Sequence, residues 1–282
     1  MTYREAVAHG EKVLELSHIA DAKTDAWLLL EMGCKIDRKF YYMHMEDDLP
    51  DDLLKEYELA IKKRAEHIPL QYIVGETEFM GLKFKVNSNV LIPRQDTETL
   101  VEEALKTVKP GMKVLDMCTG SGCIIISILH NVEGVKGYAV DISKQAVNVA
   151  KENAKLNEVP VLFERSDLFE MVTEKFDVIV SNPPYIATKE LEGLMPEVRE
   201  HEPILALDGM EDGLYFYRKI VAQAGEYLEQ GGWLCFEIGY DQGEALKEMM
   251  TEAGYGQVKI IKDLAGLDRV AIGQKNNNWN AF

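Results

Sequence analysis

Asn182-Pro183-Pro184-Tyr185, placed directly after the apolar run Val178-Ile179-Val180-Ser181, combines residue types that could do chemistry on a planar amine. Two consecutive prolines donate no backbone N–H and fix φ, so a strand stops pairing there and continues as a stiff turn. Such a turn can hold a side-chain amide, a backbone carbonyl and an aromatic ring in one arrangement. That arrangement suits gripping an –NH2 group while its nitrogen is alkylated. Asn182 would supply the amide, Pro183 and Pro184 the stiff turn, and Tyr185 the ring. The same four residues also read as a proline-rich strand terminator with an aromatic packed on it.

A second chemical segment lies upstream. Val114-Leu115-Asp116-Met117-Cys118-Thr119-Gly120-Ser121-Gly122-Cys123-Ile124 reads as a strand, a tight turn and a helix start. Gly120 and Gly122 let the backbone take left-handed angles and approach a ligand closely. A glycine turn of this kind also serves nicotinamide enzymes, so the next strand has to discriminate. Gly137-Tyr138-Ala139-Val140 ends in Asp141, about 20 residues beyond the turn, where an acid accepts from ribose hydroxyls. Ser166-Asp167-Leu168 follows a third short strand and suits an adenine edge and an apolar face.

Positioning these segments calls for an open α/β sheet, whose ligands bind outside the carboxyl ends of the strands near the point where strand order reverses. The pattern from Thr97 onward is regular βα alternation. It predicts strands at Lys113–Asp116, Val135–Val140, Val161–Phe163, Phe176–Val180 and Gly232–Ile238, with two more near Val258–Ile260 and Arg269–Ala271. Helices are predicted over Glu98–Thr107, Cys123–His130, Lys144–Leu156, Leu214–Glu229 and Gly243–Ala253. Alternation of this kind predicts a parallel-rich sheet with helices on both faces. Residues 1 to about 70 carry apolar residues at helical spacing in three stretches. From Pro69 to Pro93 the pattern changes to short strands with glycine turns, at Tyr72–Gly75, Phe79–Val86 and Val90–Pro93. The expected organisation is a helical module over 1–72, a β-hairpin linker over 73–96, a catalytic domain over 97–273 and a disordered tail over 274–282.

Composition restricts the partner. A hydrophobic fraction of 46% and a charged fraction of 28% describe an ordinary globular chain. No apolar run reaches the length of a membrane span, and Met1-Thr2-Tyr3-Arg4-Glu5 lacks the apolar core of a secretion signal, so a cytoplasmic location is expected. Cys34, Cys118, Cys123 and Cys235 form no CxxC pair, which predicts free thiols and no metal site. Net charge is −17, whereas proteins that track phosphates normally present a basic surface. The one short basic cluster, Lys62-Lys63-Arg64, reads as a solvated helix face.

Glycine turn, ribose acid, third-strand Asp and the polar-Pro-Pro-aromatic turn occur in an order that resembles the S-adenosylmethionine-dependent methyltransferases of Rossmann-like fold. The resemblance implies that Cys118, Thr119, Gly120, Ser121, Gly122, Asp141, Asp167, Leu168 and Asn182 hold S-adenosyl-L-methionine and its product S-adenosyl-L-homocysteine. One departure is Cys118, where that pattern usually has glycine; no neighbouring histidine makes its thiol a nucleophile.

Three further segments narrow the family: Pro69-Leu70-Gln71-Tyr72-Ile73-Val74-Gly75, Phe79-Met80-Gly81-Leu82-Lys83-Phe84 and Val90-Leu91-Ile92-Pro93-Arg94-Gln95-Asp96-Thr97-Glu98. With Glu202-Pro203-Ile204-Leu205-Ala206-Leu207-Asp208-Gly209 and Glu211-Asp212-Gly213-Leu214-Tyr215-Phe216-Tyr217, they resemble the PrmC/HemK family. The resemblance implies a protein-(glutamine-N5) methyltransferase acting on the Gly-Gly-Gln loop of peptide-chain release factors, with the helical module in recognition. It also implies that the Asn182 oxygen and the Pro183 carbonyl accept the glutamine's two N–H bonds and that Tyr185 packs on the amide plane. Gln95 departs from the family's usual proline and Met210 from a usual glycine. Three rivals remain: a nucleobase methyltransferase at adenine N6 or guanine N2, a ribosomal-protein glutamine methyltransferase, and a non-catalytic cofactor-binding module. A nucleobase enzyme would add a recognition domain and basic surface, and this chain offers neither.

Overall fold

The structure, a computed structural model, describes residues 1–276 and 279, arranged as two compact units. The first comprises Met1–Glu76 with Met195–His201, and the second Thr77–Leu194 with Glu202–Phe282.

The first unit is helical: α1 (Tyr3–Leu16), α2 (Ala22–Cys34), α3 (Arg38–His44), α4 (Asp51–Ala65) and α5 (Leu70–Val74). A capping box starts α1: the Thr2 hydroxyl accepts from the Glu5 amide, and the Glu5 carboxylate accepts from that of Thr2. Ala6, Leu14, Ala26, Leu30, Tyr57 and Ile61 form its core. The packing is close at Gly10, where a Cβ would lie 2.1 Å from the Tyr57 hydroxyl oxygen. The short helix α9 (Pro196–His201) belongs to this unit, although the sequence pattern places it inside the catalytic stretch 97–273. The cause is ionic. Arg64, buried in α4, donates to Asp25 at 2.7 Å and through both terminal nitrogens to Glu197 of α9 at 3.0 and 3.1 Å.

The second unit opens with a hairpin of β1 (Glu76–Phe79) and β2 (Leu82–Lys85), turned at Met80 and Gly81 with φ of +51° and +72°. Two positive φ values in a two-residue loop match the right-handed twist of the flanking strands. Its other elements are α6 (Gln95–Leu105), β3 (Lys113–Met117), α7 (Cys123–Asn131), β4 (Lys136–Asp141), α8 (Lys144–Leu156), β5 (Val161–Arg165) and β6 (Phe176–Ser181). After two short 3-10 turns follow α10 (Tyr215–Tyr227), β7 (Leu228–Glu237), α11 (Gly243–Glu252), β8 (Tyr255–Lys262) and β9 (Asp268–Lys275). The sheet order is β5-β4-β3-β6-β7-β9-β8. β5 through β7 pair in parallel, and β9 runs antiparallel to both its neighbours. Chain order reverses between β3 and β6, so the switch point falls where Met117 pairs with Ser181.

Apolar runs explain why these strands stay central: Val114, Leu115, Met117, Val178, Ile179 and Val180 are all buried. α7 is buried along nearly its whole length and packs with α6 on one side of the sheet; α10 and α11 cover the hydrophobic cluster around Phe236. Two sequence expectations fail. Tyr72–Gly75 forms the end of α5 and its left-handed cap, not a strand, because Pro69 precedes a helical turn at Leu70 that Gly75 closes at φ +85°. Val90–Pro93 forms no strand; the Val90 amide closes a turn on Asn87 O at 3.1 Å. In the expected disordered tail, Gln274 and Lys275 belong to β9, and Trp279 packs on the second unit's core; residues 277, 278 and 280–282 lie outside the described residues.

Candidate active site

A cavity of about 300 Å3 opens at the switch point, lined wholly by residues of the second unit. The glycine turn after β3 contributes Cys118, Thr119, Gly120 and Ser121; the end of β4 contributes Asp141, the end of β5 Asp167 and Leu168, and the end of β6 Asn182 and Pro184. Nine of the residues expected from sequence therefore meet at one place. Gly122, Pro183 and Tyr185 are not on its wall.

Two hydrogen bonds build the glycine turn. The Thr119 hydroxyl donates to the buried Asp116 carboxylate at 2.6 Å, while its amide donates to Val140 O at 3.0 Å. Gly120, at φ +55°, has open space where a side chain would stand, so its backbone faces the cavity. Gly122, at φ +81°, does different work. A Cβ there would lie 3.0 Å from Ile126 and 3.1 Å from Ala150, so this glycine permits α7 to pack on α8 and does not meet the cavity.

Asp141 is the electrostatic centre of the wall. Its Oδ2 accepts the Gly120 amide at 2.9 Å and its Oδ1 the Ser143 amide at 2.8 Å. Burial pushes this carboxyl above its ordinary range, and the two amides pull the other way. Each oxygen keeps a second lone pair for a hydroxyl donor. Cys118 adds no nucleophile: burial, then the neighbouring Asp141 charge, raises its thiol far above the usual value. All four cysteines are free, and among the described residues no His/Cys/Asp/Glu cluster could hold a metal ion.

At the end of β6 the Asn182 amide nitrogen donates to Thr97 Oγ1 at 3.4 Å, turning its NH2 toward α6. Tyr185 is held at its polar end. Its hydroxyl donates to the buried Glu237 carboxylate at 3.2 Å, because a buried phenol takes an available acceptor, and its carbonyl accepts from Gln242 at 3.0 Å. The backbone beyond folds against residues 207–210: Ile186 donates to Leu207 O, and Gly209 donates to Ile186 O. A Cβ on Gly209 would lie 2.7 Å from Tyr185 Cα, and one on Gly213 2.3 Å from Tyr185 O. The segment after the 3-10 turns thus braces the Pro-Pro turn from behind.

The comparisons with known proteins agree with this architecture. The PrmC N-terminal domain family matches residues 5–75, and the methyltransferase small domain family matches 94–197. The release factor glutamine methyltransferase of Geobacter sulfurreducens is 41% identical over 274 residues, covering 97% of this chain and 96% of its own. The chain belongs to the release factor glutamine methyltransferase family. Its likeness extends across the 282 residues aligned with the Clostridium botulinum release factor glutamine methyltransferase, at 40% identity, covering 98% of this chain and 100% of the relative. The crystal structure of a methyltransferase from Pyrococcus furiosus shares the fold, with a TM-score of 0.53, 22% identity, and coverage of 70% of this chain and 90% of that one.

In this member of the release factor glutamine methyltransferase family, several residues at the site had no role assigned from sequence. Thr97 lines the cavity and touches Asn182. Arg94 lines it too and pairs with the buried Glu202, which joins two segments far apart in sequence. Glu98, by contrast, is structural, its carboxylate accepting the hairpin amide of Met80 at 2.7 Å. Asn153, fully buried in α8, accepts from Lys85 N at 2.7 Å and donates to Lys85 O and Ser121 O at 3.0 and 2.9 Å. It ties the hairpin to the glycine turn. A polar residue on an otherwise apolar helix face (Ala146, Val149, Ala150, Ala154) was the available signal for Asn153; Thr97 and Glu202 fall inside the family segments, which give them no role by themselves.

Proposed function

We propose that this protein transfers a methyl group from S-adenosyl-L-methionine to the side-chain amide nitrogen of the glutamine in the Gly-Gly-Gln loop of peptide-chain release factors. The observation that carries the reading is the Asn182 amide at the cavity wall, its nitrogen turned to Thr97, in a chain of this family. The wall fits the methyl donor. Asp141 offers acceptor lone pairs to ribose hydroxyls, the open side of Gly120 admits close backbone approach, and Asp167 with Leu168 offers a polar edge and an apolar face for adenine. When bound, the donor supplies an electrophilic methyl carbon.

The chain's own residues have to handle a poor nucleophile, since an amide nitrogen's lone pair is delocalised into its carbonyl. In this reading Asn182 Oδ1 and the Pro183 carbonyl accept the acceptor's two N–H bonds and point its nitrogen at the donor. Pro184 gives an apolar wall that excludes water. Tyr185 acts from behind as the anchor of the turn through Glu237 and Gln242. Orientation of this kind supplies several kcal/mol, up to roughly 7–11 in the best intramolecular cases. The nitrogen loses a proton after alkylation, so no strong base is required. The helical unit serves recognition, and an acidic chain of net charge −17 favours a basic face on the release factor over nucleic acid.

The test is mass spectrometry of purified release factors incubated with the enzyme and labelled methyl donor, with tRNA and DNA as parallel acceptors. Label on the Gly-Gly-Gln glutamine is expected; label on nucleic acid alone would overturn the reading. Asn182→Ala should abolish transfer while leaving donor affinity within about tenfold, because its contact serves the acceptor.

A further inference from the structure

Among the described residues, four charged side chains line the cavity: Asp141, Asp167, Arg94 and Lys219. The two cations stand at different ends. Lys219, in α10, holds its ammonium 4.7 Å from the centroid of the Tyr215 ring and lies in the field of Asp167 and Glu170. Arg94 is the N-cap residue of α6, and its carbonyl accepts the Thr97 amide at 3.1 Å. Thr97 in turn accepts from Asn182. One cation therefore belongs to the Asp167 side of the cavity and the other to the Asn182 side.

Arg94 has the means to receive an anion. Its side chain is 39% exposed, so the guanidinium is open to a ligand, and one terminal nitrogen donates to Oε1 of the buried Glu202. Among the described residues the guanidinium makes no other hydrogen bond or ion pair. Arginine carries five N–H donors in a planar fork that fits a carboxylate at two points, so donors remain once Glu202 is served. The start of α6 adds to the field, since a helix N-terminus favours an anion. No side chain caps it, and its first-turn acids are engaged elsewhere, Asp96 with Arg269 and Glu98 with the Met80 amide.

The methyl donor has one anionic group, the carboxylate of its amino-acid arm, and that arm leaves from the same sulfur as the methyl. With the methyl directed at Asn182 and the adenine at Asp167, the carboxylate falls on the Arg94 side. It also has to be offset against Asp141 and Asp167 on the same wall. The acceptor amide is neutral and needs no cation. We propose that Arg94 is a cofactor-binding residue: its guanidinium, held on one side by Glu202, takes the α-carboxylate of S-adenosyl-L-methionine. The inference rests on the reading that this cavity holds that donor.

The experiment titrates the full-length parent, Arg94→Gln and Arg94→Lys by calorimetry with S-adenosyl-L-methionine and with its decarboxylated analogue, which lacks only the carboxylate. Melting temperature and KM for a purified release factor are read alongside. The parent should prefer the carboxylate-bearing ligand by about 10- to 100-fold, as for a charge-assisted hydrogen-bonded pair. Arg94→Gln should weaken that ligand by about 10- to 100-fold and move the Kd of the decarboxylated one by less than about threefold, so that the preference disappears. Arg94→Lys keeps the charge but not the fork, and should cut the preference by about threefold or more. A parent without preference, an Arg94→Gln protein that keeps it, or one that loses both ligands equally would each overturn the inference. So would an unchanged donor Kd with a raised KM for the release factor, which would move Arg94 to the acceptor. If Arg94→Gln does not fold, a parental preference in Arg94→Lys overturns it. Failure of the parent to bind either ligand would instead sink the underlying donor reading.

Discussion

Asp141→Asn tests the site at its most constrained point. The carboxylate accepts one amide on each oxygen, Gly120 at 2.9 Å and Ser143 at 2.8 Å. Asparagine has the same shape but only one acceptor oxygen. Whichever way it turns, an NH2 group faces a backbone N–H across one of those distances. If it faces Gly120, the glycine turn is pushed open; if it faces Ser143, the start of α8 is disturbed. Leaving one buried donor without a partner costs about 1–3 kcal/mol, and a hydrogen bond to a charged group is worth about 1.5–3 kcal/mol. The proposed ribose clasp loses its charged acceptor as well. Losing one such bond corresponds to roughly a 10- to 100-fold weaker Kd for S-adenosyl-L-homocysteine. Calorimetric titration reads the affinity, and a thermal melt without ligand reads the turn. Asp167→Asn is the control, since Asp167 is exposed at the wall and its change should alter binding without moving the melting temperature. A folded Asp141→Asn protein whose Kd stays within about twofold of the parent would refute the assignment of Asp141 to the donor.

Three further outcomes are expected. Asn153→Ala removes one acceptor and two donors that join Lys85 to Ser121, and should lower stability by about 2–4 kcal/mol, read as a fall in melting temperature; a change under about 1 kcal/mol would show that water replaces the tie. Burial pushes Asp116 up to about 7, above its unfolded value near ~4, so its stabilising contribution is present below that unfolded value and is lost as pH rises through about 7. Melting temperature should therefore fall less steeply between about pH 5 and 8 in Asp116→Asn than in the parent, and equal slopes would contradict the raised value. Acidic attraction of a basic release-factor face should make kcat/KM fall several-fold as salt rises from about 0.05 to 0.3 M, and a flat response would remove that contribution.

Most of the second unit was legible because its strands are unbroken apolar runs and its helices carry 3.6-residue periodicity. Lys144–Leu156 could be bounded closely, since Ser143 caps its start and its buried face reads Ala146, Val147, Val149, Ala150 and Ala154. Tyr72–Gly75 fits a strand or a helical turn equally, because three β-prone residues, Tyr72, Ile73 and Val74, cannot distinguish the two. Here the flanking Pro69 and Gly75 decided it. The ties of Asn182 to Thr97 and of Tyr185 to Glu237 were not legible. They span 85 and 52 residues, and each partner looks like an ordinary helix or strand residue until the sheet places it. The docking of α9 on the helical unit was hidden for the same reason, resting on Glu197 meeting Arg64 across 133 residues.

Two departures from the family pattern share a conformation. Cys118 and Met210, each where the pattern they resemble has glycine, have φ of +62° and +70°. Left-handed backbone costs a residue with a side chain roughly 1–2 kcal/mol, and it persists only where neighbours over-determine it. They do so here. Thr119 N bonds Val140 O directly after Cys118; Met210 N bonds the Asp208 carboxylate at 2.9 Å, and Met210 O accepts from Thr188. Gln95, in place of a usual proline, is the first residue of α6, where proline's missing N–H and fixed φ are favourable but not required. All three departures fall where the backbone conformation matters more than the side chain. The proposed acceptor clamp and ribose acid depend instead on side-chain oxygens, at Asn182 and Asp141.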